Sequence, residues 1–209
     1  MTEAEGARRG PGRPPQISRD KIVETVSSAE NLDTLTMREL AARLGVSHAA
    51  LYRWVRSRDE LFDLVSDVLV DRILPSPCSF PPADADDMGW LAQVAWAMHD
   101  QFLALPGYAT HLSRPHRHNA HSISRLRGAV LEAFTHAGVS AEMAEQSWHI
   151  FITCMVGWLA AAENPLDLGP TEARFELFLG ALLRGLPARE PGTGRPGATA
   201  HAASTRPSH

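Results

Sequence analysis

The stretch LAARLGVSHAALYRWV, residues 40–55, sets one glycine between two short segments that both read as helix. Leu40, Leu44, Val46, Leu51 and Val55 supply a seam that the two segments can bury between them. Gly45 can take the left-handed backbone that closes a tight interhelical turn, and Ala41, four residues earlier, is small enough to let the helices meet. This is the pattern of a helix-turn-helix, whose second helix enters the major groove of DNA. An ordinary helical hairpin could use the same turn. The polar and aromatic outer face, set in a basic part of the chain, favours the nucleic-acid reading.

The rest of the chain keeps the helical period. Ser18 reads as an N-cap ahead of Ile22, Val26 and Ala29, and the pairs Thr36 with Glu39 and Ser57 with Glu60 fit the capping box. A broad apolar stripe then runs from Leu61 to Ile73, and Pro75 ends it. Leu91, Val94, Met98, Phe102 and Leu105 mark the next helix, stopped by Pro106-Gly107; Ile123, Leu126, Val130 and Phe134 mark another, with Gly138 as its C-cap. Ser140 caps a long helix reaching about Glu163, and residues 171–185 hold the last. No strand-like alternation and no internal repeat is visible. The expected fold is all-α, an N-terminal three-helix helix-turn-helix head (17–58) joined to a larger helical body (59–186). A Gly-, Pro- and Arg-rich arm (1–16) and a Pro-, Gly- and Ala-rich tail (187–209) are expected to be disordered.

Charge is divided unevenly. The net formal charge is −4, yet residues 1–58 hold ten Lys/Arg against seven Asp/Glu, so an acidic body carries a basic head. No apolar run approaches the ~18 residues of a membrane span, and MTEAEGARRG has no hydrophobic core to serve as a secretory signal. The two cysteines, Cys78 and Cys154, form no paired spacing, and a reducing cytoplasm is the expected location. No Ser/His/Asp or HExxH arrangement, Gly-rich phosphate loop or matched pair of carboxylates is present, so an enzyme is not expected.

On the second helix, Ser47 at the N-cap would turn backbone N–H groups towards a phosphate, and His48 could donate to a base edge. Ala49 and Ala50 are small enough for thymine methyls, Tyr52 offers a hydroxyl to the backbone, and Arg53 offers a planar fork for phosphate or guanine. The arm GARRGPGRPP resembles an incomplete AT-hook and is expected to add sequence-independent phosphate attraction.

From Ser18 to about Ile73 the chain resembles the DNA-binding domain of TetR-type transcriptional regulators, through LTMRELAARLGVSHAALYRWVRSRDEL. The resemblance implies that Thr36, Arg38, Tyr52 and Arg58 hold phosphates or nearby bases. It implies that His48, Ala49, Ala50 and Arg53 face the groove, with Trp54 standing where the family often has His. Asp71-Arg72, GYATHLSRP (107–115) and WHIFITCMVGWLAAAEN (148–164) make the body similar to the tetracycline-repressor branch. That likeness aligns His111 with a histidine that helps hold a metal-chelated drug, but puts Leu74 where that repressor has a drug-contacting histidine, which speaks against tetracycline itself. It also implies a shift of the long helix after the head, transmitted here through Asp71 and Arg72.

For the body, Trp90, Trp96, His99, His111, Phe151, Met155 and Trp158 are the candidate ligand residues, because pockets between helices are apolar and aromatic with a few polar groups. Packed core with surface histidines remains the plain alternative for each. His111, His116, His118 and His121 could bind a metal, but no carboxylate or Cys sits at a familiar interval. No resident cofactor is expected; a small-molecule effector is, and a metal-chelated one stays open. Gly157, Ala160, Ala161, Gly180 and Ala181 would let helices approach closely, so a homodimer through about 141–163 and 171–185 is expected, presenting two heads to one palindromic operator in double-stranded DNA. The leading reading is a ligand-responsive homodimeric repressor. The alternatives are a DNA-binding regulator whose body binds protein rather than a small ligand, and a metal-dependent hydrolase using the His-rich segment.

Overall fold

The computed structural model describes residues 17–74, 87–114, 120–165, 167 and 169–189. The expected arm (1–16), the loop carrying Cys78, the residues His116 and His118, and the tail beyond 189 lie outside these. In chain order the helices are α1 (Arg19–Ser27), α2 (Met37–Arg43), α3 (His48–Leu51), α4 (Arg58–Ile73), α5 (Asp87–Leu103), α6 (Tyr108–Ser113), α7 (Ala120–His136), α8 (Ala141–Glu163) and α9 (Phe175–Gly185). Among the described residues there is no strand, and no helix is long and apolar enough to cross a membrane.

The helix starts follow their caps. Ser18 Oγ accepts from Lys21 N, and Thr36 and Glu39 close the complete reciprocal box. The Thr36 backbone N–H, and after it the Thr36 hydroxyl, hold the Glu39 carboxyl below the usual carboxylate range. Ser57 Oγ accepts from Glu60 N, but Glu60 returns its bond to Arg56 N, at 2.6 Å, rather than to Ser57 N. At the head's turn, Gly45 sits at φ 68 while Val46 N donates to Ala41 O and Gly45 N to Ala42 O. That pair of bonds is a Schellman closure, and it needs the left-handed residue that only glycine supplies without strain.

The head's core is Ile22 and Val26 from α1, Leu40 from α2, Leu51 from α3, and Leu61 and Val65 from α4, all buried. In the body, α8 packs on α6 and α7, α4 on α5 and α7, and α9 closes over α5. Three elements depart from the sequence expectation. The second helix of the head is regular only over His48–Leu51, because Trp54 N turns back to Leu51 O in a tighter bond and the chain then leads into α4. The last helix begins at Phe175, not 171, with no side-chain cap. The segment after Gly107, where the sequence pattern marks no helix, contains α6. Its first N–H groups are satisfied by Glu163, from Gly107 N at 3.1 Å, Ala109 N at 3.2 Å and Thr110 N at 2.8 Å, a cap supplied from the end of α8. The chain also continues in order past Leu186, where Ala188 N donates to the buried Ser147 Oγ at 2.8 Å.

Candidate functional site

On the head, the turn and the two helices beside it leave Arg38, Ser47, His48, Ala49, Tyr52, Arg53 and Trp54 exposed, with Ala50 half-buried. Tyr52 and Trp54 are 39% and 45% exposed, although both are large and apolar-bodied. The His48 and Tyr52 rings meet at 4.4 Å, so two of the candidate base-contacting side chains brace each other. Ser47 Oγ accepts from Ala50 N and so fixes the start of α3.

Two expected phosphate residues are already engaged. The Thr36 hydroxyl is held in the capping box with Glu39. Arg58 turns inward: Nη1 donates to Leu35 O at 2.9 Å and Nη2 to Leu32 O at 2.7 Å, and the guanidinium lies 5.3 Å from the centre of the Phe62 ring. Arg58, expected to contact DNA, is thus held against the α1–α2 loop, with its side chain 37% exposed. Two of its donors go to carbonyls of that loop, which would otherwise lie partly buried without partners.

The body encloses a cavity of about 350 Å³. α4 forms one wall with Phe62, Ser66, Leu69, Val70 and Ile73; α5 adds Met98 and Phe102, α6 Tyr108 and His111, α7 Ser122 and Leu126, and α8 Ile152 and Val156. Asp59 and Asp63 also line it. Its polar groups are mostly spent on one another. Ser66 Oγ and Tyr108 Oη lie 2.8 Å apart, Ser66 also donates to Phe62 O, and Ser122 Oγ donates to Asp67. Burial pushes the Tyr108 phenol up to about 12; the Ser66 hydroxyl pulls it down, and the charges of Asp63 and Asp67 push it further up.

Of the seven expected ligand residues, only His111 lines this cavity. Phe151 and Met155 are fully buried, and their one-residue offset from Ile152 and Val156 places them on a different face of α8. Trp90 is buried core. Trp96, His99 and Trp158 instead meet Phe175 and Phe178 in an aromatic cluster, with Trp96 at 4.7 Å and Trp158 at 4.9 Å from the Phe175 ring. Trp96 remains 40% exposed there. The single pocket expected from these seven residues is therefore divided into core, surface cluster and cavity. Residue type alone could not separate them. Phe62, Ser66, Tyr108 and Ser122 were missed: the first lay in a stripe read wholly as core, and the others had no partner visible in sequence. Among the described residues no three His, Cys, Asp or Glu stand together to hold a metal, and His121 is exposed on α7.

His111 joins the cavity to the head. Its ring stacks on Phe62 with centroids 3.5 Å apart, and its Nδ1 lies 4.0 Å from Asp33 Oδ1 in the α1–α2 loop. Arg114 Nη1 donates to the other Asp33 oxygen at 2.6 Å, and Leu32 N donates to Pro106 O at 2.8 Å. α4 is also tied on both sides. Arg72 reaches Asp20 of α1 at 3.9 Å, Arg125 of α7 reaches Asp71 at 2.5 Å, and Asp67 takes Arg19 from α1 at 3.1 Å.

Residues 26–65 match the family described as bacterial regulatory proteins, tetR family. The HTH-type transcriptional repressor DrrR1 of Streptomyces coeruleorubidus is 39% identical over 103 residues, a stretch that spans 48% of this chain and 36% of that protein. The structure of BioQ with its double-stranded DNA operator superposes with a TM-score of 0.61 at 20% identity, covering 83% of this chain and all of that one. A TetR variant from Acinetobacter baumannii AYE in complex with minocycline superposes at 0.64 with 19% identity, over 81% of this chain and 96% of that one. Residues 26–65 therefore carry the tetR-family match, and the chain as described has the fold of solved TetR proteins.

Proposed function

We propose that the chain is a homodimeric transcriptional repressor that leaves operator DNA when a small molecule fills the cavity. The observation that carries this reading is that one helix serves both parts. α4 gives Leu61 and Val65 to the core of the head, and Phe62, Ser66 and Val70 to the wall of the cavity. A ligand that favours one setting of α4 then favours one setting of the head. A coupling of about 1–3 kcal/mol changes DNA affinity some 5–150-fold. DrrR1 is described as a repressor, BioQ is seen on operator DNA and the TetR variant on minocycline, and each supports part of this reading.

In this reading Arg38, Ser47, His48, Ala49, Ala50, Tyr52, Arg53 and Trp54 form the DNA-facing surface. His111, Phe62 and Tyr108 contact the effector, and no cofactor is required. Dimerisation falls to the outer faces of α8 and α9, where Ile150, Gly157 and Leu177 are exposed and Leu177 reaches 60%. One short head makes too few base contacts for a specific site; two heads about 34–36 Å apart, or a multiple of that, suit a palindrome.

Selection from a random DNA pool by the purified full-length chain tests the reading. It should enrich a two-fold symmetric site, with one dimer bound per site in sedimentation. Enrichment of no symmetric sequence, or a monomer at micromolar concentration, would sink it.

A further inference from the structure

We infer that the cavity takes a flat, uncharged, mainly apolar molecule that gives one N–H or O–H to the phenol oxygen of Tyr108. This rests on the ligand-responsive reading above and specifies the chemistry of what fills the site. Phe62, Phe102 and Tyr108 bring three rings to a wall that is otherwise mostly aliphatic, so the bulk of the molecule must be apolar. An ionised group would have to leave water for that wall, at a cost that a neutral one avoids. The volume of about 350 Å³ is well above the roughly 150 Å³ that admits benzene, which leaves room for a molecule of two or three fused rings.

The place of one hydrogen decides which way the remaining bond can run. Ser66 Oγ donates to Phe62 O at 2.7 Å, so the single hydrogen of that hydroxyl is used on its own helix. Ser66 Oγ and Tyr108 Oη lie 2.8 Å apart, and the hydrogen between them must then come from Tyr108. Burial pushes the phenol up to about 12, so this hydrogen is in place at neutral pH. Tyr108 therefore stands in the cavity wall with its one donor committed and its oxygen still able to accept. A ketone or ether set against that oxygen would bring acceptor to acceptor and gain nothing there. Asp59, Asp63 and His111 also line the cavity, and a donor aimed at any of them would be indifferent to the loss of the Tyr108 hydroxyl.

Three flat tricyclic probes of nearly equal size, titrated into the full chain, test the inference: carbazole, with one N–H and no acceptor; fluorene, with neither; and 9-fluorenone, with one carbonyl and no donor. Carbazole should bind tighter than fluorene by roughly threefold to tenfold, the gain from one net hydrogen bond, and fluorenone should bind more weakly than carbazole. Tyr108→Phe keeps the ring and should remove most of the carbazole preference. Ser66→Ala releases the phenol hydrogen, which can then donate into the cavity, so fluorenone should gain on fluorene in that variant. Should Tyr108→Phe fold poorly, the Ser66→Ala result decides alone. Equal binding of carbazole and fluorene by the wild type, tighter binding of fluorenone than carbazole, a carbazole preference undiminished in Tyr108→Phe, a fluorenone-to-fluorene ratio unmoved by Ser66→Ala, or no binding of any probe would each overturn the inference. The repressor reading fails on separate grounds, by selecting no symmetric DNA site, and it would survive a cavity indifferent to hydrogen-bond donors.

Discussion

Gly45 and Gly107 both occupy the left-handed region, at φ 68 and φ 90. An alanine at either position meets the cost of that conformation, about 1–2 kcal/mol, which corresponds to a loss of a few degrees in Tm. At Gly107 a Cβ would also fall 2.3 Å from Asn31 Oδ1, and that oxygen is already fixed by accepting from Asp33 N at 2.6 Å. Gly107→Ala should therefore lower Tm by more than that conformational cost alone, and circular-dichroism melts of the variant against the wild type check it. Tyr108 gives a pH signature. Its folded pKa, about 12, lies above the unfolded value of 10.0, so as pH rises the unfolded chain loses this proton first. The stability due to Tyr108 is whole below about pH 10 and is lost between pH 10 and 12, by roughly 2–3 kcal/mol for a shift of this size. Urea midpoints that fall equally for wild type and Tyr108→Phe across that window would contradict the assignment.

α6 is held by a partner 53 to 56 residues away in sequence, since three of its N–H groups and the Thr110 hydroxyl all reach the Glu163 carboxylate. Glu163→Ala should cost about 1–3 kcal/mol and speed amide exchange at Gly107, Ala109 and Thr110 relative to the core of α8. Arg58 and Arg38 separate two roles within the head. Arg58→Ala should lower Tm, because the Leu32 and Leu35 carbonyls lose their donors; Arg38→Ala, on the exposed face of α2, should weaken operator binding at unchanged Tm. A melt and a gel shift on each variant decide between them. These same elements mark how far the sequence could be read. Gly45, Ser18, Thr36 and Ser140 act within a few residues of their own position, so their helices were legible from spacing. α6 is only six residues long between Gly107 and Arg114, and its cap is tertiary, so nothing local announced it. The cavity was legible only at His111, through a resemblance. Trp96, Trp158 and Met155 have the right chemistry for a pocket, but which face of a helix turns towards a void depends on how five helices are arranged around it.

At the scale of the whole molecule, the outer faces of α8 and α9 carry the dimer proposal. Leu177→Arg places a charge on the most exposed apolar side chain of α9, and it should shift the sedimentation profile to monomer and abolish binding to the symmetric site. The far-ultraviolet spectrum should not change, because Leu177 packs little within its own protomer; a variant that stays dimeric would move the interface elsewhere. The other consequence at this scale follows from α4. Leu61 and Val65 complete the core of the head, so the expected boundary after residue 58 falls between the first three helices and the helix that seals them. Neither half can be lifted out at that point as an autonomous unit. Limited proteolysis should yield no resistant fragment ending near Arg58, and a hybrid regulator built from this head would have to carry α4 with it, inheriting one side of the foreign chamber along with the new DNA address.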